Sequence, residues 1–208
     1  MGRITRRSDY RQPITPASGK GSEIQRIRLE KIKDFGMKAT MDLLIRPVRL
    51  SDSEDINEMR RQEGVRANTL ALATETVASS EVFLRNMGSD DHVLVAELDG
   101  KVIGMVGIHL LKSARQRHIA CLGMMVRTEY QGRGIGKKLL ENILDLADNW
   151  LMLVRVELEV TPDNERAICL YNSFGFEVEG RKKYSIIKGG KYADLIIMAR
   201  YNIPSQFK

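Results

Sequence analysis

Cysteine, histidine and tryptophan are scarce in this chain of 208 residues, at two, three and one. Cys121 and Cys169 lie far apart in apolar contexts and form no CxxC pair. That excludes a disulfide framework or thiol-redox motif and leads us to expect buried free thiols in a reducing compartment, the cytoplasm. His92, His109 and His118 share no metal-ligand spacing. No zinc site, and no other metal, is expected. No apolar run approaches the roughly 18 residues of a membrane span, and the first residues lack the apolar core of a secretory signal. No membrane partner is expected, and no repeat with a period of about 20–50 residues is present.

A basic excess is missing from most of the chain. Of 33 Lys/Arg and 27 Asp/Glu, residues 1–40 hold 10 and 4, which leaves 23 against 23 over 41–208. The pI of 9.4 is thus set by an N-terminal arm. It gives no reason to expect a nucleic-acid partner, and the arm carries no recognised nucleic-acid motif. Residues 1–21 are polar and rich in Gly, Pro and Arg, which reads as disorder. Residues 22–34 read as a helix: Ser22 and Gln25 resemble a capping box, and Ile24, Ile27 and Ile32 form a thin stripe. A domain start near Met41 leaves the arm open as a tag, an upstream start site or a native extension.

What is present is alternation. Hydrophobic residues at 43% and charged residues at 29% suit a globular domain. "LLIRPVRL" (43–50) alternates as a strand, with Pro47 favouring an edge. Helical patterns follow over 53–63 and 79–87. Asp99-Gly100 joins "HVLVAEL" and "KVIGMVGIHLL" as a hairpin. "RHIACLGMMV" (117–126) is apolar on both faces and reads as a central, covered strand. A helix over 134–149 carries Ile135, Leu139, Ile143 and Ala147 on one face. Strand 154–160, helix 164–174 and two closing strands complete one α/β domain with a mixed sheet.

Between strand and helix lies "YQGRGIGKK", with Gly132, Gly134 and Gly136 at alternate positions and Arg133 and Lys137 beside them. Glycines let main chain approach a ligand closely. The first N–H groups of a helix lack internal partners, so a phosphate or diphosphate fits there. The stretch is not a Walker A loop, because Lys138 follows Lys137. Nor is it GxGxxG, since it reads GxGxG. The bland alternative is a flexible turn with glycines for tight packing.

The glycine turn has company. Gln131, Gly134 and Gly136 spell Q/R-x-x-G-x-G/A after a strand. Asn164, Ala167, Leu170, Tyr171, Gly175 and Phe176 spell N-x-x-A-x-x-L-Y-x-x-x-G-F one helix and one strand later. Over residues 41–201 the chain resembles the GNAT acetyltransferase superfamily. "RHIACLGMMV", "DNW" and "NTL" resemble its bacterial members that acetylate free L-amino acids.

The resemblance implies a mostly antiparallel sheet with flanking helices and acetyl-CoA as acyl donor. The diphosphate is expected on main-chain N–H groups of Gln131, Gly132, Arg133, Gly134, Ile135, Gly136 and Lys137. The pantetheine is expected along Met124, Met125 and Val126, where one N–H polarises the thioester carbonyl. Tyr171 is expected as the acid for the departing thiolate; the alternative is a core aromatic. For the base, Glu159 stands where some peptide-acetylating relatives carry one, or is an ion partner. His118 is read onto the face of Leu122 and Val126, or is a structural histidine. Ordered water alone also serves in some relatives. Asn164 reads as an N-cap, a pantetheine contact, or both. Arg66, Asn68 and Thr69, with Tyr184 and Tyr192, are candidates for acceptor binding. The expected acceptor is a small-molecule amine, chiefly an amino acid. A peptide N-terminus and a non-catalytic acyl-CoA-binding module are the alternatives. Homodimers are common in the family.

Overall fold

The computed structural model describes residues 26–28 and 42–203. Eight strands form one sheet: β1 (Arg26–Arg28), β2 (Asp42–Pro47), β3 (Asp91–Leu98), β4 (Lys101–Leu110), β5 (Ile119–Val126), β6 (Arg155–Val160), β7 (Glu177–Lys188) and β8 (Lys191–Tyr201). Their spatial order is β1-β2-β3-β4-β5-β6-β8-β7. Each neighbouring pair is antiparallel except β5 and β6. Among the described residues, no helix is long and apolar enough to cross a membrane, and no cluster of three His, Cys, Asp or Glu side chains is placed to hold a metal.

The two faces of the sheet are covered differently. Helix α4 (Ile135–Asp145) and helix α5 (Glu165–Ser173) pack on one face. As the stripe predicts, Ile135, Leu139, Ile143 and Ala147 are buried there against Leu43, Ala120 and Leu122. The other face carries α1 (Ser53–Arg61), α2 (Glu63–Arg66) and α3 (Val77–Arg85). Ile56 and Met59 of α1 bury against Val95, Val102 and Met125. Each strand feeds both cores because successive side chains point to opposite faces.

Local chemistry explains the turns. Asp99 and Gly100 have φ of 50° and 80°, both positive as a type I′ hairpin requires. Pro47 ends β2 where β1 no longer pairs, since β1 meets only Asp42–Leu44. No ladder donor is needed on that side.

Three expectations are corrected. Arg26–Arg28 form a strand rather than part of a helix over 22–34; the remaining residues of that range lie outside those described. The β5 strand is central but only partly covered on one face, where Met125 is buried while Cys121 and Gly123 are exposed. Both cysteines are free and exposed instead of buried: Cys121 faces this opening, and Cys169 lies on the exposed side of α5.

Candidate active site

The opening begins where two parallel strands part. β5 and β6 pair only at Ile119–Arg155, Ala120–Val156 and Cys121–Glu157. Beyond that point β5 stays with β4 as far as Val126, while β6 stays with β8 as far as Val160. Strand parity shows which groups are left facing the gap. Arg127 N–H donates to Ile103 and Ile119 O accepts from Leu111, so odd-numbered residues of β5 direct their main chain toward β4. Leu122, Met124 and Val126 therefore aim theirs into the wedge. Val126 O is taken by the Gln131 side chain at 3.0 Å, which fastens the following turn to the strand end.

That turn leads into the N-terminus of α4. Gly132 and Gly134 have φ of 75° and 85°, a region that side chains with a Cβ avoid. Gly136 serves packing instead: a Cβ there would come within 3.2 Å of Leu170 Cδ2 and 3.4 Å of Met124 Cε. The first helical bond runs from Lys138 N–H to Gly134 O, and no side chain caps the helix. The N–H groups of Ile135, Gly136 and Lys137 thus have no helical partner, and the helix dipole is positive there. Arg166 Nη1 lies 4.0 Å from where a Cβ on Gly132 would stand, which brings a second cation beside Lys137.

The wedge and the turn open into one cavity of about 780 Å³, within the ordinary range of about 300–1,000 Å³ for small-molecule sites. Its inner end lies on the α1–α3 face. Gly107 and Gly123 are directly paired there. Nothing lies within 4 Å of where a Cβ on Gly123 would stand, whereas Val93 Cγ2 lies 3.0 Å from that point on Gly107, so the open floor is at Gly123. The next row along holds His109 opposite Cys121, and His109 also pairs with Asp91 across β3 and β4. His109 Nδ1 lies 2.6 Å from Asp91 Oδ1. Arg60 lines the same end. Its Nε and Nη2 hold Glu75 at 2.5 and 2.8 Å, and Nη1 makes no hydrogen bond among the described residues. Although Cys121 faces the opening, its sulfur is partly desolvated in the cavity wall. That desolvation, followed by the nearby Glu157 carboxylate, pushes the Cys121 thiol up to about 11, so it stays protonated at neutral pH.

Tyr171 projects from α5 toward the wedge and packs against Phe176, with ring centres 5.6 Å apart. Burial pushes its phenol up to about 12. Asn164 lines the cavity and also caps α5, its Oδ1 accepting from Ala167 N–H at 3.3 Å. Glu159 lines it too, in an ion pair with Lys182.

The wall formed by α1 and α2 is docked onto the stretch before the glycine turn. Buried Arg127 donates to Val102 O at 2.8 Å, Asp55 O at 3.1 Å and Glu58 Oε2 at 2.9 Å. Gln62 Oε1 accepts from Thr128 N–H at 2.8 Å.

Most sequence-derived candidates meet in this cavity: Met124, Met125, Val126, Gln131, Gly132, Gly134, Gly136, Lys137, Asn164, Tyr171 and Glu159, with Asn68 and Thr69 at the rim. Others do not. Ile135 is core, and the Arg133 guanidinium sits over the Tyr130 ring at 5.6 Å. His118 precedes β5, is exposed and lies outside the cavity, because the strand starts only at Ile119. Arg66 ends α2 and lies outside the cavity, whereas Arg60 of the preceding helix lines it. Tyr184 and Tyr192 meet each other on the β7–β8 hairpin, exposed. Sequence reading missed Arg60, Asp91, His109 and Arg166. Only Arg166 carried a signal, as a cation inside the second motif.

The model of the Acetyltransferase (GNAT) family matches residues 59–176, which include both motifs and most of the cavity. The chain belongs to the GNAT acetyltransferase family. Family members draw their acetyl group from acetyl-CoA, and the chain is an acetyl-CoA-dependent N-acetyltransferase. It is 32% identical over 161 residues to the L-amino acid N-acetyltransferase AaaT of Escherichia coli, covering 76% of this chain and 98% of that one. It is 36% identical over 120 residues to the N-alpha-acetyltransferase RimI of Mycobacterium tuberculosis, covering 57% and 72%. A GNAT acetyltransferase structure from Streptococcus pneumoniae superposes with a TM-score of 0.68 at 29% identity, over 77% of this chain and 99% of that one.

Proposed function

We propose that this enzyme acetylates the α-amine of free L-amino acids. The observation that carries the reading is the open edge of β5, which runs from an uncapped helix N-terminus to a bare glycine floor inside one cavity. The residues fit acetyl-CoA. The N–H groups of Ile135, Gly136 and Lys137 would hold its diphosphate, with charge from Lys137 and Arg166. Met124 and Val126 would pair with its pantetheine amides, as an added strand pairs with a sheet edge. Asn164 would meet the same arm.

When bound, acetyl-CoA supplies a thioester whose C–S bond breaks as the amine forms the amide C–N bond. The enzyme's own groups do the rest. A Met124 N–H directed into the wedge stabilises negative charge on the carbonyl oxygen. Tyr171, protonated through the neutral range, gives its proton to the leaving sulfur and recovers one from solvent. With the Cys121 thiol held protonated, direct transfer from thioester to amine is the mechanism this reading takes. Lys182 occupies Glu159, which suits an orienting role for that carboxylate better than a proton-taking one.

The acceptor would lie over Gly123, beside Val93, with its α-carboxylate on Arg60 Nη1. Similarity along 98% of the amino-acid acetylating relative supports this acceptor class. The partial match to an N-alpha-acetyltransferase supports a peptide N-terminus as the second reading. A thiol-release screen across free amino acids, polyamines and short peptides tests the choice. Free amino acids are expected to give the highest kcat/KM. Preference for peptides, or for amines without a carboxylate, contradicts the proposal.

A further inference from the structure

We propose that His109 takes the proton from the acceptor ammonium and that Asp91 positions it for that work. The inference rests on the reading that the inner end of the cavity receives the amine. An amine attacks only as the free base. An α-ammonium ionises at about pH 8 at a peptide N-terminus, and higher in a free amino acid, where the neighbouring carboxylate stabilises the cation, so a proton must leave it first.

The geometry favours this imidazole over its neighbours. His109 and Asp91 are cross-strand partners and both line the cavity. A carboxylate on Nδ1 selects the tautomer with the proton on Nδ1 and leaves Nε2 a lone pair. Nε2 makes no hydrogen bond among the described residues. Gly123, with nothing within 4 Å of where a Cβ would stand, lies one same-face step from Cys121, the residue opposite His109. That step is about 7 Å along the strand, which leaves room for an acceptor between imidazole and wedge. Asp91 itself is anchored. Gly88 N–H donates to it at 2.8 Å, and this bond, then the His109 contact, holds its carboxyl below the ordinary range.

The other groups around His109 are committed elsewhere. Asp90 pairs with Arg117 at 2.6 Å. Glu157 holds Arg155 at 2.9 Å and accepts from Cys121. Glu159 pairs with Lys182. Lys112 adds a positive charge near Asp91. The proton balance is simple. R–NH3⁺ gives one proton to Nε2 and becomes R–NH2. His109 passes that proton to solvent. After the C–N bond forms, the nitrogen loses its second proton to solvent, from which Tyr171 recovers one. The sulfur takes one from Tyr171, and one proton in total reaches solvent.

The test uses the full chain, acetyl-CoA, and an equimolar mixture of the twenty standard amino acids as acceptor probe. His109→Gln is expected to lower kcat about 100-fold and to abolish the fall in kcat at acidic pH. Acetyl-CoA affinity by calorimetry and melting temperature should stay near wild type. Asp91→Asn is expected to lower kcat about 10-fold with KM unchanged, and to scramble the imidazole tautomer seen by nitrogen NMR. Retention of the acidic limb in His109→Gln, kcat within about threefold of wild type, or a proton on Nε2 in the resting enzyme overturns the proposal. Gly123→Leu separates it from the reading beneath it, because the added side chain fills the floor. If Gly123→Leu leaves acceptor KM unchanged, or the wild-type enzyme ignores the mixture, the acceptor reading fails. If Gly123→Leu blocks the acceptor while His109→Gln keeps the acidic limb, only the base assignment fails.

Discussion

The two ends of the cavity are built from different materials. The outer end presents main chain: N–H groups at the mouth of α4 and the unpaired edge of β5. The inner end presents side chains from several strands and helices: Arg60, Asp91, His109 and Cys121 over a bare glycine floor. A main-chain site is indifferent to most substitutions and intolerant of a few. A side-chain site can be retuned one residue at a time. A shared donor and a variable acceptor call for that division.

The sharpest way to break the contrast is Gly134→Val. A β-branched residue at φ 85° is strained by about 1–3 kcal/mol, and its side chain crowds the anion site. We expect calorimetry to show acetyl-CoA affinity down at least about 100-fold, the equivalent of about 2.7 kcal/mol. Retained affinity would mean that the turn does not hold the donor.

The next largest effect should fall on turnover. Tyr171→Phe is expected to lower kcat about 100-fold while acetyl-CoA affinity stays within about twofold. Equal losses in both, or in neither, would remove Tyr171 as the acid. At the inner end, Arg60→Met should raise KM for an amino acid about 10-fold, the scale of one lost charged hydrogen bond. It should leave the matching amine without a carboxylate unaffected. Equal changes for both acceptors would show that Arg60 only braces Glu75.

The smallest expected effect separates the glycines. Gly136→Ala presses on Leu170 and Met124, at a cost of about 1 kcal/mol of stability. A lower melting temperature with acetyl-CoA affinity within about threefold would show that this glycine packs and Gly134 binds.

The same division decided what could be read from sequence. The outer end was legible because its signals are local. Alternate glycines before a stripe of Ile135, Leu139 and Ile143 fix a helix mouth wherever the rest of the chain goes. The Asp99-Gly100 turn likewise marked β3 and β4, and strict alternation marked β6, within a residue or two. The inner end was opaque because it depends on register. Asp91 and His109 are 18 residues apart and meet only through hairpin pairing. Arg60 and Arg66 sit on separate short helices on either side of Gln62, and only Arg60 lines the cavity. His118 looked correctly phased with Leu122, but the strand had not yet begun. The opening between β5 and β6 was invisible for a related reason. "RHIACLGMMV" reads the same whether its second face is covered by protein or left for a ligand.

Amide hydrogen exchange of the full chain with and without acetyl-CoA tests the central claim most directly. Main-chain donors at Met124, Val126, Ile135, Gly136 and Lys137 should gain protection together on binding. Binding that leaves these five amides unchanged and protects others in their place would contradict the account.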